Sequence, residues 1–217
     1  MTKQIIECVP NFSEGRNMDV IRQITAEVES VTGVHLLNVD PGEATNRTVV
    51  TFVGEAQDVV EAAFRAVRKA AQLIDMRKHY GAHPRMGATD VLPLIPISGI
   101  TLEECAVLAR KLAQRMADEL SIPCYSYEAA AFKPERKNLA VCRAGEYEAL
   151  EKKLTTPGLQ PDFMPECMSA EGGSPVCIPE CIQRSGCTAV GARDFLIAVN
   201  FNLTPPAPEG QTPLPST

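Results

Sequence analysis

This 217-residue sequence lacks several features that would assign it quickly to a class of protein. It has no apolar run of about 18 residues, the length that a membrane-spanning helix needs. Its N-terminus, MTKQIIECVP, lacks the apolar segment and cleavage site of a signal peptide. It also has no block of basic residues, and its formal net charge is -6. We therefore expect a cytoplasmic protein with neither nucleic acid nor a membrane among its partners.

The composition is that of an ordinary globular protein, since 45% of the residues are hydrophobic. The sequence contains no internal repeat. Its last stretch, residues 204–217, is rich in proline and directly follows an apolar, strand-like segment. We therefore predict one domain over residues 1–203 and a disordered or extended tail over residues 204–217.

Strand and helix patterns alternate along the first half of the chain. Short β-prone runs cover residues 5–9, 34–39, 47–53 and 89–97, and amphipathic helical patterns cover residues 17–33 and 56–75. The order β-α-β-β-α-β is that of the ferredoxin-like fold, an α+β architecture with helices packed on one mixed sheet. Because Pro93 and Pro96 each remove a donor from the fourth strand, we expect that strand to lie at an edge or to be bulged.

Additional elements follow this predicted core. A capping box at Thr101 begins an amphipathic helix, and residues 122–127 form a short strand. Residues 134–153 predict two short helices on either side of Gly145, and residues 155–186 are loop-like. We place the last strand within residues 191–203, over the apolar run that begins at Phe195.

The eight cysteines fall into two groups. Four are scattered through apolar segments, where a reduced cysteine behaves as a small hydrophobic residue: Cys8, Cys105, Cys124 and Cys142. The other four crowd into a Gly/Pro/Ser-rich insert over residues 164–187: Cys167, Cys177, Cys181 and Cys187. Their intervals match no standard zinc module, so we predict a variable loop with reduced thiols and no metal.

Reactive side chains concentrate in one loop, HYGAHPRMGATDV at residues 79–91, and the sequence has only three histidines in all. Gly81 and Gly87 frame His83, and imidazole titrates closest to neutral pH, so His83 is a candidate general acid and base. The alternative is a loop histidine that only hydrogen-bonds locally. A metal site with His79 is less favoured, because glycine and proline break the helix that such a pair would use.

Several motifs in order resemble those of the glutamate formimidoyltransferase family, specifically its N-terminal subdomain. They are ECVPNFSEG at 7–15, TNRTVVTFVG at 45–54, LIDMRKHYGAHPRMGATDV at 73–91, RAGEYEAL at 143–150, PDF at 161–163 and GARDFLIAVNFNL at 191–203. The resemblance implies transfer of a formimino group from N-formimino-L-glutamate to tetrahydrofolate, which acts as co-substrate, with no metal.

The resemblance also implies roles for particular residues. His83 would be the catalytic acid and base, and Asp40 its carboxylate partner. Substrate- or folate-binding residues would be Asn11, Asn46, Arg47, Arg85, Asp162 and Phe163. The two arginines are of the type that clamps carboxylates with two hydrogen bonds. The alternatives are that Asp40 caps the Pro-Gly turn beside it and that each arginine is only a surface or interface charge.

In this family a second subdomain follows, and the substrates bind in a tunnel between the two halves. The sequence carries no counterpart of that half, so we expect a fragment, one component of a split enzyme, or a stand-alone relative. The expected partners are folate and formiminoglutamate, together with a separate second subdomain or a homodimer partner. The competing function is that of a non-catalytic folate-binding or protein-interaction module.

Overall fold

The computed structural model describes residues 3–168 and 178–196. In this part of the chain the strands are β1 (Ile5–Cys8), β2 (Asn11–Phe12), β3 (His35–Gly42), β4 (Arg47–Glu55), β5 (Thr89–Ser98), β6 (Cys124–Glu128) and β7 (Thr188–Ala192). The helices are α1 (Met18–Glu29), α2 (Ala56–Leu73), α3 (Leu102–Leu120), α4 (Leu139–Arg143), α5 (Leu150–Thr155) and α6 (Glu180–Ser185).

The first half of the chain has the predicted β-α-β-β-α-β core. Strand β1 lies between β4 and β5, antiparallel to both, and β3 pairs with the far side of β4. The spatial order β3-β4-β1-β5 is that of a ferredoxin-like sheet. Local signals explain the helices, because the Asn17 side chain accepts from the first turn of α1 and the apolar stripe of α2 is buried. The predicted α+β fold is confirmed.

Strand β5 lies in the interior of the sheet, so the expectation of an edge position was wrong. It is antiparallel to β1 and β2 on one side and parallel to β7 on the other. The bulge alternative is correct, because the register shifts between Ile5 and Ile6, next to the pair of Ile6 with Pro96. Pro93 lies opposite the gap between β1 and β2, where its carbonyl accepts from the Val9 amide at 3.3 Å.

Two parallel strands, β7 and then β6, extend the sheet beyond β5. Helices α1, α2 and α3 cover one face, and α3 begins at the predicted capping box between Thr101 and Glu104. A second apolar cluster, which includes residues of α4, α5 and α6, covers the other face at the β6 and β7 end. The opposite end of that face is more open, since β4 alternates between buried and half-buried residues.

The last strand that the structure describes begins before the predicted segment 191–203. Strand β7 covers Thr188–Ala192, whereas Phe195 and Leu196 lie outside any strand and are each 68% exposed. Small residues fill β7 because it is buried between β5 and β6 and covered on both faces. The rest of the predicted strand, 197–203, and the tail, 204–217, lie outside the described residues.

The cysteine-rich insert is partly helical. Helix α6 lies within it, Cys187 is buried, Cys167 and Cys181 are exposed, and Cys177 lies outside the described residues. Over residues 3–168 and 178–196, no three His, Cys, Asp or Glu side chains form a group that could hold a metal ion. No helix in the same ranges is long and apolar enough to span a membrane.

Candidate functional site

The loop between α2 and β5, which carries His79 and His83, packs closely against two other segments. A Cβ atom on Gly81 would lie 2.2 Å from the Thr45 carbonyl oxygen, and one on Gly87 would lie 2.1 Å from that of Cys187. Both positions therefore require glycine. The loop is thus held between the β3–β4 turn and the start of β7.

Asn46 ties this loop to the rest of the protein. It is buried and adopts a left-handed backbone conformation with φ of 49°. Its Oδ1 accepts from the Gly15 amide at 3.0 Å, and its Nδ2 donates to the Tyr80 carbonyl at 2.9 Å. The His79 Nε2 lies 2.8 Å from the Asn46 carbonyl. The candidate binding residue Asn46 thus has both ends of its side-chain amide engaged within the protein.

His83 contacts Arg47 directly, with 2.6 Å between its Nε2 and the arginine Nη1. Because a guanidinium can only donate, Nε2 is the acceptor and the neutral imidazole carries its proton on Nδ1. Partial burial and the charges of Arg47 and Arg143 lower the pKa of His83, and Asp90 offsets part of this effect. His83 is therefore neutral at pH 7 and able to accept a proton.

Asp40, the expected partner of His83, is exposed on β3 opposite Val49. No hydrogen bond joins the Asp40 and His83 side chains in the described structure. Asp40 acts instead on Arg47: burial and Arg143 lower the pKa of that guanidinium, while Asp90 and Asp40 oppose the shift. Asp40 thus lies near enough to influence the charge of Arg47, but it forms no salt bridge with Arg47 in the described structure.

Sequence reasoning assigned no role to two charged residues beside His83. Asp90, at the start of β5, is almost fully buried, and its Oδ2 lies 2.5 Å from the Arg143 Nη2. Its Oδ1 accepts from the Met86 amide at 3.0 Å. Both residues occur in the motifs ATDV and RAGEYEAL, but nothing in either motif marked them as neighbours across 53 positions.

Three buried polar atoms at this site have no partner among the described residues: Arg47 Nε, Arg143 Nε and His83 Nδ1. Buried polar groups are nearly always hydrogen-bonded, so such a group of atoms indicates a place for a ligand or water. Two guanidinium groups beside a neutral imidazole favour an anion.

Arg85 is already engaged within the protein. Its terminal nitrogens donate to both oxygens of Glu148, at 2.7 and 2.8 Å, and Nη1 also donates to Glu146 at 3.0 Å. Its Nε lies 3.4 Å from the His79 Nδ1. A cavity of about 520 Å³ lies beside this group, lined in part by Tyr147. A carboxylate ligand would have to displace Glu148 in order to bind Arg85.

The remaining candidates also make contacts within the protein. Asn11, on β2, donates to the Val9 carbonyl at 3.2 Å. Asp162 accepts from Arg136 at 2.5 Å and from the Ser126 amide at 2.8 Å. The Phe163 backbone pairs with Cys124, and its ring packs edge-to-face on Phe132 at 5.9 Å. Asp162 and Phe163 therefore brace β6, whereas Asn11 lies on β2 between β4 and β5.

Comparisons with known proteins agree with this architecture. Residues 5–193 match the model of the formiminotransferase domain, N-terminal subdomain. The chain is 50% identical over 200 residues to the formimidoyltransferase-cyclodeaminase of Rattus norvegicus, covering 92% of this chain and 35% of that protein. It is 44% and 41% identical to the glutamate formimidoyltransferases of Streptococcus pyogenes serotype M1 and Thermoplasma acidophilum, with 92% of this chain and 62% of each relative covered.

The chain thus spans about one third of the cyclodeaminase relatives and less than two thirds of the glutamate formimidoyltransferases. The family model nevertheless covers almost all of the described residues, including the His83 loop, Arg47 and Arg143. This chain belongs to the formiminotransferase family, as its N-terminal subdomain.

Proposed function

We propose that this chain is the catalytic N-terminal portion of a glutamate formimidoyltransferase. The enzyme would transfer the formimino group of N-formimino-L-glutamate to tetrahydrofolate, in the cytoplasmic pathway that links histidine degradation to one-carbon metabolism. The observation that carries the proposal is the neutral, half-buried His83 in contact with Arg47, within a family whose relatives are named for this transfer.

The chemistry needs one group that first accepts and then returns a proton. Nitrogen N5 of tetrahydrofolate attacks the amidine carbon, so that one carbon–nitrogen bond forms and a tetrahedral adduct results. His83 takes the N5 proton and returns it to the glutamate nitrogen as the bond between that nitrogen and the amidine carbon breaks. The products are 5-formiminotetrahydrofolate and glutamate, and the imidazole is regenerated.

The arginines at the site would bind the carboxylates of the substrate. Arg47 has an unpartnered buried Nε and forms no salt bridge with any described residue. Asp40 would orient Arg47 and balance its charge, and so act on His83 indirectly. Asn46 and Arg85 would shape the loop that presents His83, through the contacts described above.

The open part of the sheet supports a second wall for the site. Along β4 the residues on one face are fully buried, and those on the other face, from Arg47 to Val53, are half-buried. A separate second subdomain, or a second copy of this chain, would cover that face and enclose the folate. The positioning of two substrates depends on such enclosure, because near-attack geometry is lost when one wall is absent.

The test is formation of 5-formiminotetrahydrofolate by the chain alone and with the second subdomain supplied in trans. We expect slow or no turnover alone and restored turnover in the mixture. His83→Ala should abolish the restored activity with folate binding retained, whereas His35→Ala, at an exposed position on β3, should leave it intact. Folate binding without transfer in the mixture would favour the non-catalytic folate-binding alternative, and full activity of the His83→Ala variant would refute the catalytic role.

A further inference from the structure

The two histidines of the His83 loop each contact an arginine, and within residues 3–168 and 178–196 only the arginine beside His79 is paired with a carboxylate. Arg85 lies against His79 and is neutralised by Glu148 and Glu146. Arg47 lies against His83, yet no carboxylate among the described residues forms a salt bridge with it. The histidine–arginine contact thus occurs once with a carboxylate bound to the arginine and once, at Arg47 and His83, without one among the described residues. We call the second the open arrangement.

The open arrangement brings two guanidinium groups close to one imidazole. Arg143 lies close enough to act on both Arg47 and His83. Asp90 forms a salt bridge with Arg143, whereas neither Asp90 nor Asp40 forms one with Arg47 in the described structure. The Nε atoms of Arg47 and Arg143 are both buried without a partner in the described structure. An incoming carboxylate would gain charge-assisted hydrogen bonds at atoms that now make none.

We infer that a carboxylate group of the substrate binds between Arg47 and Arg143, draws the Arg47 Nη1 away from His83, and so frees the His83 Nε2 to accept the proton. Arg143 is thereby a second carboxylate-binding residue, and Arg47 keeps His83 inactive until substrate is present. That the carboxylate belongs to formiminoglutamate rests on the proposed function, whereas the carboxylate site and its effect on His83 rest on the geometry alone.

The coupling must act in both directions. A bound carboxylate lowers the cost of placing a proton on His83, so protonation of His83 must tighten carboxylate binding by the same factor. The charged groups that act on His83 are Arg47 from β4, Arg143 from α4 and Asp90 from β5, while Asp40 from β3 acts on Arg47. Both arginines disfavour the imidazolium, so neutralising them raises the pKa of His83.

The test is a titration of the imidazole proton signals by nuclear magnetic resonance, which is tractable because the protein has three histidines. N-acetyl-L-glutamate is the probe, since it has two carboxylates and a planar substituent on nitrogen. At constant ionic strength, saturating probe should raise the titration midpoint of His83. The midpoint of His79 should stay unchanged, because Glu148 already completes its arginine.

Two variants identify the residues responsible. Arg47→Gln should raise the His83 midpoint without any probe, and Arg47→Gln and Arg143→Gln should each weaken probe binding about tenfold or more. Arg22→Gln, at an exposed arginine paired with Asp19, is the matched control and should change neither quantity. An unshifted His79 signal in each variant shows that the loop remains folded.

Three outcomes would overturn the inference. The probe does not bind, it binds but leaves the His83 midpoint unchanged, or it raises the His83 midpoint as much in the Arg47→Gln variant as in the wild type. None of them involves transfer chemistry. If the coupling is observed but the mixture with the second subdomain transfers no formimino group, the proposed function fails and the carboxylate site stands. If transfer occurs without the coupling, the proposed function stands and the carboxylate switch fails.

Discussion

Both terminal nitrogens of Arg85 donate to the two oxygens of Glu148, so a nearly buried guanidinium joins the His83 loop to the segment after α4. The Arg85 amide and Nη1 also donate to Glu146. Arg143, the last residue of α4, pairs with Asp90 at the start of β5. The C-terminal part of the loop and the start of β5 are therefore fixed by arginine–carboxylate pairs that join residues far apart in sequence.

Arg85→Ala should lower the free energy of unfolding by about 2–3 kcal/mol, because a buried, multiply hydrogen-bonded cation is lost and its partners remain. Arg85→Lys should recover only part of this, since an ammonium cannot donate to both Glu148 oxygens in one plane. Urea unfolding measures both variants. The exposed pair of Arg22 with Asp19 is the control, and Arg22→Ala should cost less than about 1 kcal/mol. Equal effects of Arg85→Ala and Arg22→Ala would show that Arg85 does not fix the loop.

Asp162→Ala should destabilise the protein by about 3–5 kcal/mol, since it leaves the buried Arg136 without its carboxylate. The combined variant Arg136→Met with Asp162→Leu should be closer to the wild type than Arg136→Met alone or Asp162→Leu alone. Chemical denaturation of the three variants gives the coupling between the two sites. If Asp162→Ala instead has the wild-type free energy of unfolding but loses folate affinity, Asp162 binds folate, as the family resemblance implies, and does not brace β6.

Asn46→Gly and Asn46→Ala should differ in stability, because glycine tolerates the left-handed backbone and alanine does not. Both lose the hydrogen bonds to Gly15 and Tyr80, so both should be less stable than the wild type, with alanine worse by about 1 kcal/mol. Thermal unfolding at matched concentration measures the difference. Equal stability of the two variants would mean that the backbone conformation at Asn46 contributes nothing.

Stability should fall as the pH is lowered from about 7.5 to 5. Burial is the main cause that lowers the pKa of His79 and of His83 in the folded protein, so the unfolded chain takes up protons first as the pH falls. The stability that these histidines contribute is complete above their ordinary pKa of 6.5. It is lost as the pH falls from there through their lower pKa in the folded protein. Urea unfolding at several pH values should show this slope, and the double variant His79→Gln with His83→Gln should flatten it. A slope unchanged in the double variant would assign the effect to other groups.

The ferredoxin-like half was predictable because its signals are local. Helix caps, apolar stripes and short β-branched runs depend on neighbours a few residues away, and β3 pairs with β4 across a tight link. The interior position of β5 was not predictable. Its prolines indicate that backbone donors are missing, but they do not indicate the gap between β1 and β2 that lies opposite Pro93. The apolar run FLIAVNF favoured a strand from Phe195 onward. The described strand β7 is instead the segment TAVGA, whose small side chains suit tight packing between two strands.

At the candidate site, residue type indicated His83 and the family resemblance indicated Arg47, but neither indicated their contact. The pair of Arg143 with Asp90 depends on the placement of α4 against β5, which no local pattern determines. Arg85 was expected to bind substrate because free arginine is suited to carboxylates, yet the protein supplies the carboxylates itself. In each case tertiary contacts decide which charges remain for a ligand.

The interior position of β5 has a consequence for how the chain acquires its structure during synthesis. Val91 pairs with Ala189, about a hundred residues further along the chain, whereas the partners of β5 on its other side precede it. The ferredoxin-like half can therefore form on the ribosome while one edge of β5 still exposes unpaired backbone groups, the kind of edge that promotes aggregation. Closing so long a loop is entropically slow, so docking of β7 should be the late step of folding and the stage at which chaperones matter most.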